Sequence, residues 1–436
     1  MPMRSCRPPL RLLLAVLLIA WPVRAQHAGH DVAGMQPEST AVSSFHFMGQ
    51  AIPLLTRAAP SAGGVTHTEF NLTQALFMGR AAWLSGHAQL DVAVNGEGLT
   101  MPSGELNTGA YGEGYVDRRH PHTYVHELML TGRASAGPLQ VSLSGGRGFA
   151  SFGTDDPMMR PLVKFPINHH LSQILERGAL VGAARVGNVI LEASTFSGDE
   201  PSKPSSVPRV GRFGDSWSTR ATVLPMPGAE LQASYARVAS PEVPAGFGLD
   251  QRKQSLSARV ISENGSRYVL AEWARTVEHD HSRLLDVFAY ESALAEGAVR
   301  VGPVSVAMRL EQTERPEEDR LLDPFRTPRP PSDLSINGIT RWRSATVQLA
   351  ATSVTKGLVS GFPLLEVARL AAASRDPRSL FTPDRLYGNS DFWMFTAGFR
   401  LQLGNPHARM GRYGVALPTG PSIGTIVGDD SQTHVH

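Results

Sequence analysis

Apolar and polar residues alternate with a period of two along most of the chain after about Ser43. In the clearest run, residues 392–403, every second residue would share one apolar face: Trp393, Phe395, Ala397, Phe399, Leu401 and Leu403. Similar runs lie near residues 228–239, 251–262, 266–278, 283–295, 304–311, 345–352 and 362–374. A period of two predicts β-strands with two different faces.

The breaks between these runs are of two kinds. Short breaks join pairs of runs at residues 226–228, at Asn264-Gly265 and at 297–303, and Asn-Gly favours a tight hairpin. Long polar segments rich in proline separate other pairs, at residues 198–216, 240–250, 314–333 and 374–390. Short turns at one end and long loops at the other are typical of an up-and-down antiparallel array.

The predicted fold is therefore all-β, an antiparallel transmembrane β-barrel of about 14–16 strands over residues 43–403. The alternative is a soluble β-sandwich or barrel, whose strands also alternate but average only about 5–6 residues. Two features are less typical of a membrane barrel. Aromatic residues make up only 7% of the chain, and a tail of residues 404–436 follows the last predicted strand.

The first 25 residues predict a secretory signal peptide. Arg4, Arg7 and Arg11 precede an apolar run at residues 12–21, and Ala25 offers a small residue for cleavage. That apolar run is too short to span a membrane as a helix. The only cysteine of the chain, Cys6, lies in this segment, so the mature protein would have none. Residues 26–42 would then form a flexible leader.

Charge and composition exclude several classes of protein. The formal net charge is +2, which provides no basic face for nucleic acid. Apolar residues make up 42% and charged residues 18%, a balance that argues against a disordered chain. No phosphate-binding loop follows the glycines at residues 145–148, and no His-Glu-x-x-His motif occurs. The one Gly-x-Ser-x-Gly pattern, at residues 420–424, lies in the tail beyond the last predicted strand and is not part of a strand-to-helix elbow. We therefore predict that the protein is not an enzyme.

Residues 116–128, with the sequence VDRRHPHTYVHEL, stand apart from the alternating runs. Further along the chain come His169-His170, Ser197-Gly198-Asp199-Glu200-Pro201, a DSWSTR run at 215–220 and two short stretches at 240–242 and 250–253. These stretches resemble a family of Gram-negative outer-membrane β-barrel proteins with a DRQHPHD-type signature. Genes of that family often lie beside copper and heavy-metal resistance genes.

The resemblance covers about residues 45–403 and implies fold and location rather than an activity. It implies a place in the outer membrane, with outer-membrane lipid and the barrel-assembly machinery as partners. Two positions depart from the signature: Arg119 stands where glutamine is usual and Thr123 where aspartate is usual.

Copper is the one candidate cofactor, and the leader is the first candidate metal site. His27, His30 and Met35 bring two imidazoles and a thioether together, a ligand set that suits copper. The alternative is a flexible leader in which these residues occur by chance. In the tail, His434 and His436 are weaker candidates.

The second candidate metal site combines His120 and His122 with His169 and His170 from another loop. The alternative is a structural turn, because Pro121 cannot donate a hydrogen bond to a sheet. Beyond it, alternation places His126 on the lipid side, unless the strand begins after this residue, and places Val125 and Glu127 on the inner side.

Charged residues within the predicted strands are candidates for a polar lumen. Besides Glu127, they are Arg309, Glu311 and Arg400. Together these features predict a porin-like passive channel for ions or small solutes, tied to copper or heavy-metal homeostasis. The alternatives are a non-conducting structural or ligand-binding barrel plugged by its own loops, and a barrel lipid hydrolase.

Overall fold

A computed structural model describes residues 43–59, 66–102, 104–109, 122–154, 156–201, 203–243, 245–318, 336–351, 353–377, 382–404 and 409–417. None of its helices in these ranges is long and apolar enough to cross a membrane. The predicted signal peptide, the leader with its candidate copper ligands, His120 and the last residues of the tail lie outside the described residues.

The described chain is built almost entirely from long antiparallel strands. The first eight are β1 Ser43–Ala59, β2 His67–Trp83, β3 Ala88–Asn95, β4 Val125–Ala136, β5 Leu139–Gly148, β6 Arg177–Val186, β7 Val189–Ser197 and β8 Phe213–Val223. The second eight are β9 Ala229–Val238, β10 Asp250–Ile261, β11 Arg267–Asp280, β12 Leu285–Val301, β13 Val304–Glu318, β14 Ile336–Ala351, β15 Val359–Ser374 and β16 Asp391–Gly404. A short piece, Val354–Lys356, continues β14 after a break.

The strands form one closed barrel. Each strand pairs with its neighbours in the sequence, and β1 pairs with both β2 and β16, so the sheet has no free edge. At this seam Met48 of β1 lies opposite Gly404 of β16. The barrel has 16 strands, which confirms the predicted fold, and the alternative of a soluble β-sandwich is wrong.

Most of the short turns, those that follow β2, β4, β6, β8, β10, β12 and β14, lie at one end of the barrel, together with the start of β1 and the end of β16. At the other end, a short turn of residues 281–284 joins β11 to β12. The turn at Asn264-Gly265 is confirmed, and Gly265 has a φ of +65°, which glycine adopts without strain. Two predicted breaks were too wide. Strand β12 continues to Val301, so only two residues separate it from β13, and β13 itself continues to Glu318.

The outer face of the barrel is apolar. Along β16 the predicted outward set is confirmed, with Trp393 and Phe399 exposed while Phe392 and Met394 are buried. Leu349 on β14 is 47% exposed, and Phe45 and Phe47 stack on the outside of β1. Exposed aliphatic and aromatic side chains on every second position are favourable in lipid and unfavourable in water.

Short helices lie in the loops and the tail. They are α1 Glu97–Thr100, α2 His169–Ser172 and α3 Pro383–Tyr387, with 3₁₀ turns at Pro157–Met159, Val210–Arg212 and Gly414–Ala416. The hydrophobic clusters lie inside the barrel rather than between two sheets. The largest joins Leu162 and Val163 of the β5–β6 loop to inward-facing residues such as Ile52, Leu294 and Phe362.

Candidate functional site

The interior of the barrel is occupied by the protein's own chain. Three segments lie inside: residues 149–154 and 156–176 between β5 and β6, called here the plug segment; residues 96–102 and 104–109 between β3 and β4, the β3–β4 segment; and residues 409–417 after β16, the tail segment. In a water-filled pore, the inward side chains of the wall would be exposed. Here inward residues as far apart as Ser218, Thr276 and Gln348 are 1–2% exposed.

The local sequence of the plug segment explains its turns. Pro157, Pro161 and Pro166 interrupt any regular ladder of backbone hydrogen bonds. Gly153 has a φ of +69°, and a Cβ atom there would lie 1.7 Å from the carbonyl oxygen of Ser172. Only glycine allows the two ends of the segment to approach this closely. The segment therefore folds on itself and leaves its backbone groups to be satisfied by the wall.

On the β13–β16 wall, side chains bind the backbone of the plug segment. The Val163 amide donates to Gln348 at 3.1 Å and to Glu366 at 3.0 Å. Both guanidinium groups predicted to line the lumen also contact this backbone. Arg309 donates to the Lys164 carbonyl at 2.8 Å, and Arg400 donates to the Pro161 carbonyl at 3.0 Å.

Predicted lumen-facing residue Glu311 has the same role. It accepts the backbone N–H groups of Ile167 at 3.0 Å and Asn168 at 2.7 Å. Arg309 also pairs with Glu296 of β12 at 2.7 Å. The structure therefore places the predicted lumen residues on the inner face, where the plug segment covers them instead of water.

Charge pairs inside the barrel are buried. Arg160 of the plug segment lies 3.3 Å from Glu272 of β11, and Asn168 donates to the same carboxylate at 2.7 Å. Lys164 pairs with Glu105 of the β3–β4 segment. Removing one partner from such a buried pair is far more costly than removing a surface charge. The pairs therefore favour one position of the plug segment.

Two histidine–glutamate pairs lie where the β3–β4 segment meets the plug segment. His122 and Glu97 are 2.6 Å apart, and His126 and Glu176 are 2.5 Å apart, each through the histidine Nδ1. The rings of His122 and His126 have centroids 5.2 Å apart and meet edge to face. All four side chains are buried.

The pKa values at these pairs follow from burial and from the partner charge. Burial alone would lower the pKa of His122, but the Glu97 carboxylate raises it to about 9. Burial alone would raise the pKa of Glu97 and of Glu176, but the histidines lower both. Burial and the neighbouring histidines hold the pKa of His169 well below its ordinary value. His122 is therefore a cation at neutral pH and His169 is neutral.

The predicted orientation of His126 is wrong. Strand β4 carries a bulge at this residue, because Ala93 of β3 pairs with Glu127 while the next residue, Val94, pairs with Val125. The extra residue turns both His126 and Glu127 inward and leaves Val125 on the outer face. A second bulge, at Gln74 of β2 with a φ of +50°, aims its backbone N–H at Glu97.

The structure brings together part of the second predicted metal site. His169 lies with its ring centroid 5.7 Å from that of His122 and 5.2 Å from that of His170. Within the described ranges, no group of three or more His, Cys, Asp or Glu side chains is arranged to hold a metal ion. Metal binding by these histidines stays a prediction.

The place of His170 is different from that of the other histidines. It borders a small cavity near the long-loop end, together with Glu200, Glu242 and Lys253. The Lys253 ammonium donates to the His170 carbonyl at 2.9 Å. This contact holds helix α2 against β10.

The sequence pattern does not predict that the tail segment lies inside the barrel. Tyr413 donates its hydroxyl hydrogen to Glu127 at 2.6 Å, and Arg412 pairs with Glu192 of β7 at 2.8 Å. The only signal is a short run with two arginines and a tyrosine, Arg409 to Tyr413, within an otherwise irregular tail. Glu127 thus faces the interior, as predicted, but binds a segment of the same chain.

No protein-family model matches the sequence, and neither does any curated protein. Solved structures do match. The outer membrane channel DcaP of Acinetobacter baumannii matches with a TM-score of 0.51 at 9% identity, over 84% of this chain and 99% of that one. An anion-selective porin from Comamonas acidovorans gives 0.49 at 11% identity over 83% and 100%, and OprB of Pseudomonas putida gives 0.46 at 10% over 83% and 94%.

At such low identity the DcaP match shows the fold alone. The chain has the barrel fold of outer-membrane channel proteins. Together with the apolar outer face, this fold is that of a protein of the Gram-negative outer membrane.

Proposed function

We propose that this protein is an outer-membrane channel that its plug segment closes at rest. It would pass small solutes only when that segment moves. One observation carries the proposal: the inward side chains of the wall are buried under the plug segment, whose backbone they bind. The proposal combines the porin-like barrel with the plugging that the sequence left as an alternative.

The wall beneath the plug segment supports a passage for polar solutes. It carries Arg309, Glu311, Glu366 and Arg400, and these charges would line the lumen if the plug segment moved away. Rings of charged side chains bias ion passage through a pore. A barrel of this strand number also leaves an aqueous interior when nothing fills it.

Planar-bilayer conductance tests this proposal. We expect the wild-type protein to be silent most of the time, and a variant with residues 150–174 replaced by a short Gly-Ser linker to show large steady current steps. The lipid-facing variant Leu349→Ala is the control and should behave like the wild type. Folding of each variant is checked by the shift in gel mobility on heating.

Two results would contradict the proposal. Steady large steps from the wild type would show an open porin whose interior is permeable despite the plug segment. A silent barrel after removal of the plug segment, with the variant folded and inserted, would support the non-conducting binding barrel.

Copper handling is a separate proposal, and it rests on the sequence. It is supported by the spacing of His27, His30 and Met35 and by the family resemblance. Titration of a synthetic peptide of residues 26–40 with Cu(I) and Cu(II) tests it. Binding should disappear when all three residues are alanine, and equal binding by that variant would contradict the proposal.

A further inference from the structure

The tail segment enters the barrel from the end with the short turns. Strand β16 ends there at Gly404, and residues 409–417 lie inside against the wall of β4 to β9. Short turns of outer-membrane barrels face the periplasm. Met410 and Arg412 are each 1% exposed, so the tail segment is as deeply buried as the plug segment.

The wall holds the tail segment by ion pairs and hydrogen bonds. Arg409 reaches Glu230 of β9 with both terminal nitrogens, one of them at 3.1 Å. Arg220 of β8 donates to the Gly411 carbonyl at 2.9 Å, and the Val415 amide donates to Ser142 at 3.1 Å. These contacts hold the tail segment to the wall, and Arg220 also donates to the Gly153 carbonyl of the plug segment at 3.1 Å.

Tyr413 connects the wall, the tail segment and the plug segment at one atom. Its hydroxyl oxygen accepts the Phe149 N–H at 2.9 Å and donates its hydrogen to Glu127 at 2.6 Å. Phe149 is the first residue of the plug segment. Burial and the Glu127 carboxylate raise the pKa of Tyr413 well above its ordinary value, so this hydroxyl stays protonated.

The tail and plug segments also pack against each other. Met410 belongs to one buried cluster with Phe149, Met158 and Phe165. Gly411 has a φ of +74°, and a Cβ atom there would lie 3.2 Å from the Cβ of Phe149. A larger residue at 411 would separate the two segments. The first third of the plug segment therefore packs directly against the tail segment.

We propose that the tail segment is a latch, held at the periplasmic end, that keeps the plug segment in its closed position. The inference rests on the proposed function, in which movement of the plug segment opens the channel. When the tail segment withdraws, Phe149 loses the acceptor for its backbone N–H and the apolar surface of Met410. Closure then has fewer contacts to stabilise it.

A single introduced cysteine measures the position of the plug segment directly. The only native cysteine, Cys6, lies in the predicted signal peptide, so Val163→Cys would give the mature chain one thiol. Val163 belongs to the plug segment and is fully buried when that segment is in its closed position. A charged maleimide reacts with this thiol only when the segment moves, and the labelling rate therefore reports opening.

We expect Tyr413→Phe to raise the labelling rate at position 163 by about tenfold, which corresponds to about 1.4 kcal/mol. The substitution keeps the aromatic ring and removes both hydrogen bonds at the hydroxyl. A chain ending at Gly404 should raise the rate further. The matched control is Ser142→Ala, which removes a bond between the tail segment and the wall that does not reach the plug segment, and it should leave the rate within about twofold.

The outcomes separate the latch from the proposed function. If Tyr413→Phe and the shortened chain label at the wild-type rate while the barrel without residues 150–174 conducts, the latch is refuted and the gated channel stands. If Ser142→Ala accelerates labelling as much as Tyr413→Phe, the bond between Tyr413 and Phe149 has no special part in closure, and the latch as proposed is again refuted. A silent barrel without the plug segment refutes the gated channel itself.

Discussion

The plug segment meets two different kinds of charge partner on its two sides. Toward β11–β16 its partners are guanidinium groups and carboxylates: Arg160 with Glu272, and Arg309 with Glu296 beside the Lys164 carbonyl. We call this the arginine side. Toward β3–β4 the partners are the two histidine–glutamate pairs, His122 with Glu97 and His126 with Glu176, called the histidine side.

The difference lies in which charges can change. A guanidinium group stays charged at every pH that a bacterium meets. The His122 imidazolium, in contrast, can lose its charge, as pH rises through about 9. The arginine side therefore provides constant stabilisation of the closed position, whereas the contribution of the histidine side depends on pH. The following predictions test that distinction.

The largest effect is expected from Glu272→Ala on the arginine side. The substitution leaves the Arg160 guanidinium buried without this carboxylate and removes the acceptor for Asn168. Breaking one partner of a buried pair costs about 3–5 kcal/mol. The measurement is the free energy of unfolding of the refolded protein in lipid vesicles, from a urea titration followed by tryptophan fluorescence.

The control for this variant is Glu263→Ala. Glu263 is exposed in the turn between β10 and β11, where a substitution is expected to change stability by about 0.5 kcal/mol or less. If Glu272→Ala costs no more than this control, the arginine side does not fix the plug segment and the comparison fails.

A smaller loss is expected from His122→Ala on the histidine side. Glu97 keeps other donors when the imidazole is removed, because the Gln74 N–H at 2.7 Å and the Thr73 hydroxyl at 3.1 Å remain. The carboxylate therefore stays partly satisfied, and we expect a loss of about 2 kcal/mol in the same urea titration. The exposed His87→Ala serves as the control, and a loss equal to that of Glu272→Ala would contradict the ranking.

The walls of the barrel could be predicted from the sequence because their signal is local. Alternation along β16 and the Asn264-Gly265 turn each involve neighbours in the chain. A bulge makes this reasoning fail, since one extra residue reverses the assignment to a face on one side of it. His126 was assigned to the lipid for that reason, and the bulge has no signature in the residues around it.

The interior could not be predicted, because its contacts join distant parts of the chain. The Val163 amide and Glu366 are separated by 203 residues, and Tyr413 and Glu127 by 286. A charged residue on an inward face is compatible with water, with a solute or with a folded loop. Sequence pattern therefore identified Glu311 and Arg400 as inward but left open what they bind.

Raising the pH is expected to weaken the contacts of the histidine side alone, by less than the loss expected for His122→Ala. The pKa of His122 is raised above its ordinary value, so the charged pair stabilises the fold fully below about pH 6.5 and loses its contribution as pH rises through about 9. Neutral histidine can still donate to Glu97, which limits the loss to about 1 kcal/mol. The measurement is labelling of Met101→Cys and of Val163→Cys by a methanethiosulfonate reagent at pH 7 and pH 10.

Both rates are divided by the rate at an exposed cysteine introduced at Ser85, which corrects for ionisation of the thiol. Met101 follows helix α1 and is buried beside the histidine side, and we expect its normalised rate to rise about fivefold at pH 10. The rate at position 163 should stay constant. An equal rise at both positions would show that the two sides open together.

The smallest effect is expected from Arg309→Lys, which keeps the charge and changes only its geometry. Arg309 reaches Glu296 at 2.7 Å and the Lys164 carbonyl at 2.8 Å at the same time, because its planar group presents donors in two directions. An ammonium group can remain beside Glu296 but cannot keep both bonds with the same geometry. The loss should therefore be that of one hydrogen bond, about 0.5–1 kcal/mol in the urea titration. If Arg309→Lys costs as much as Glu272→Ala, the shape of the guanidinium group rather than its permanent charge determines the stability of the arginine side.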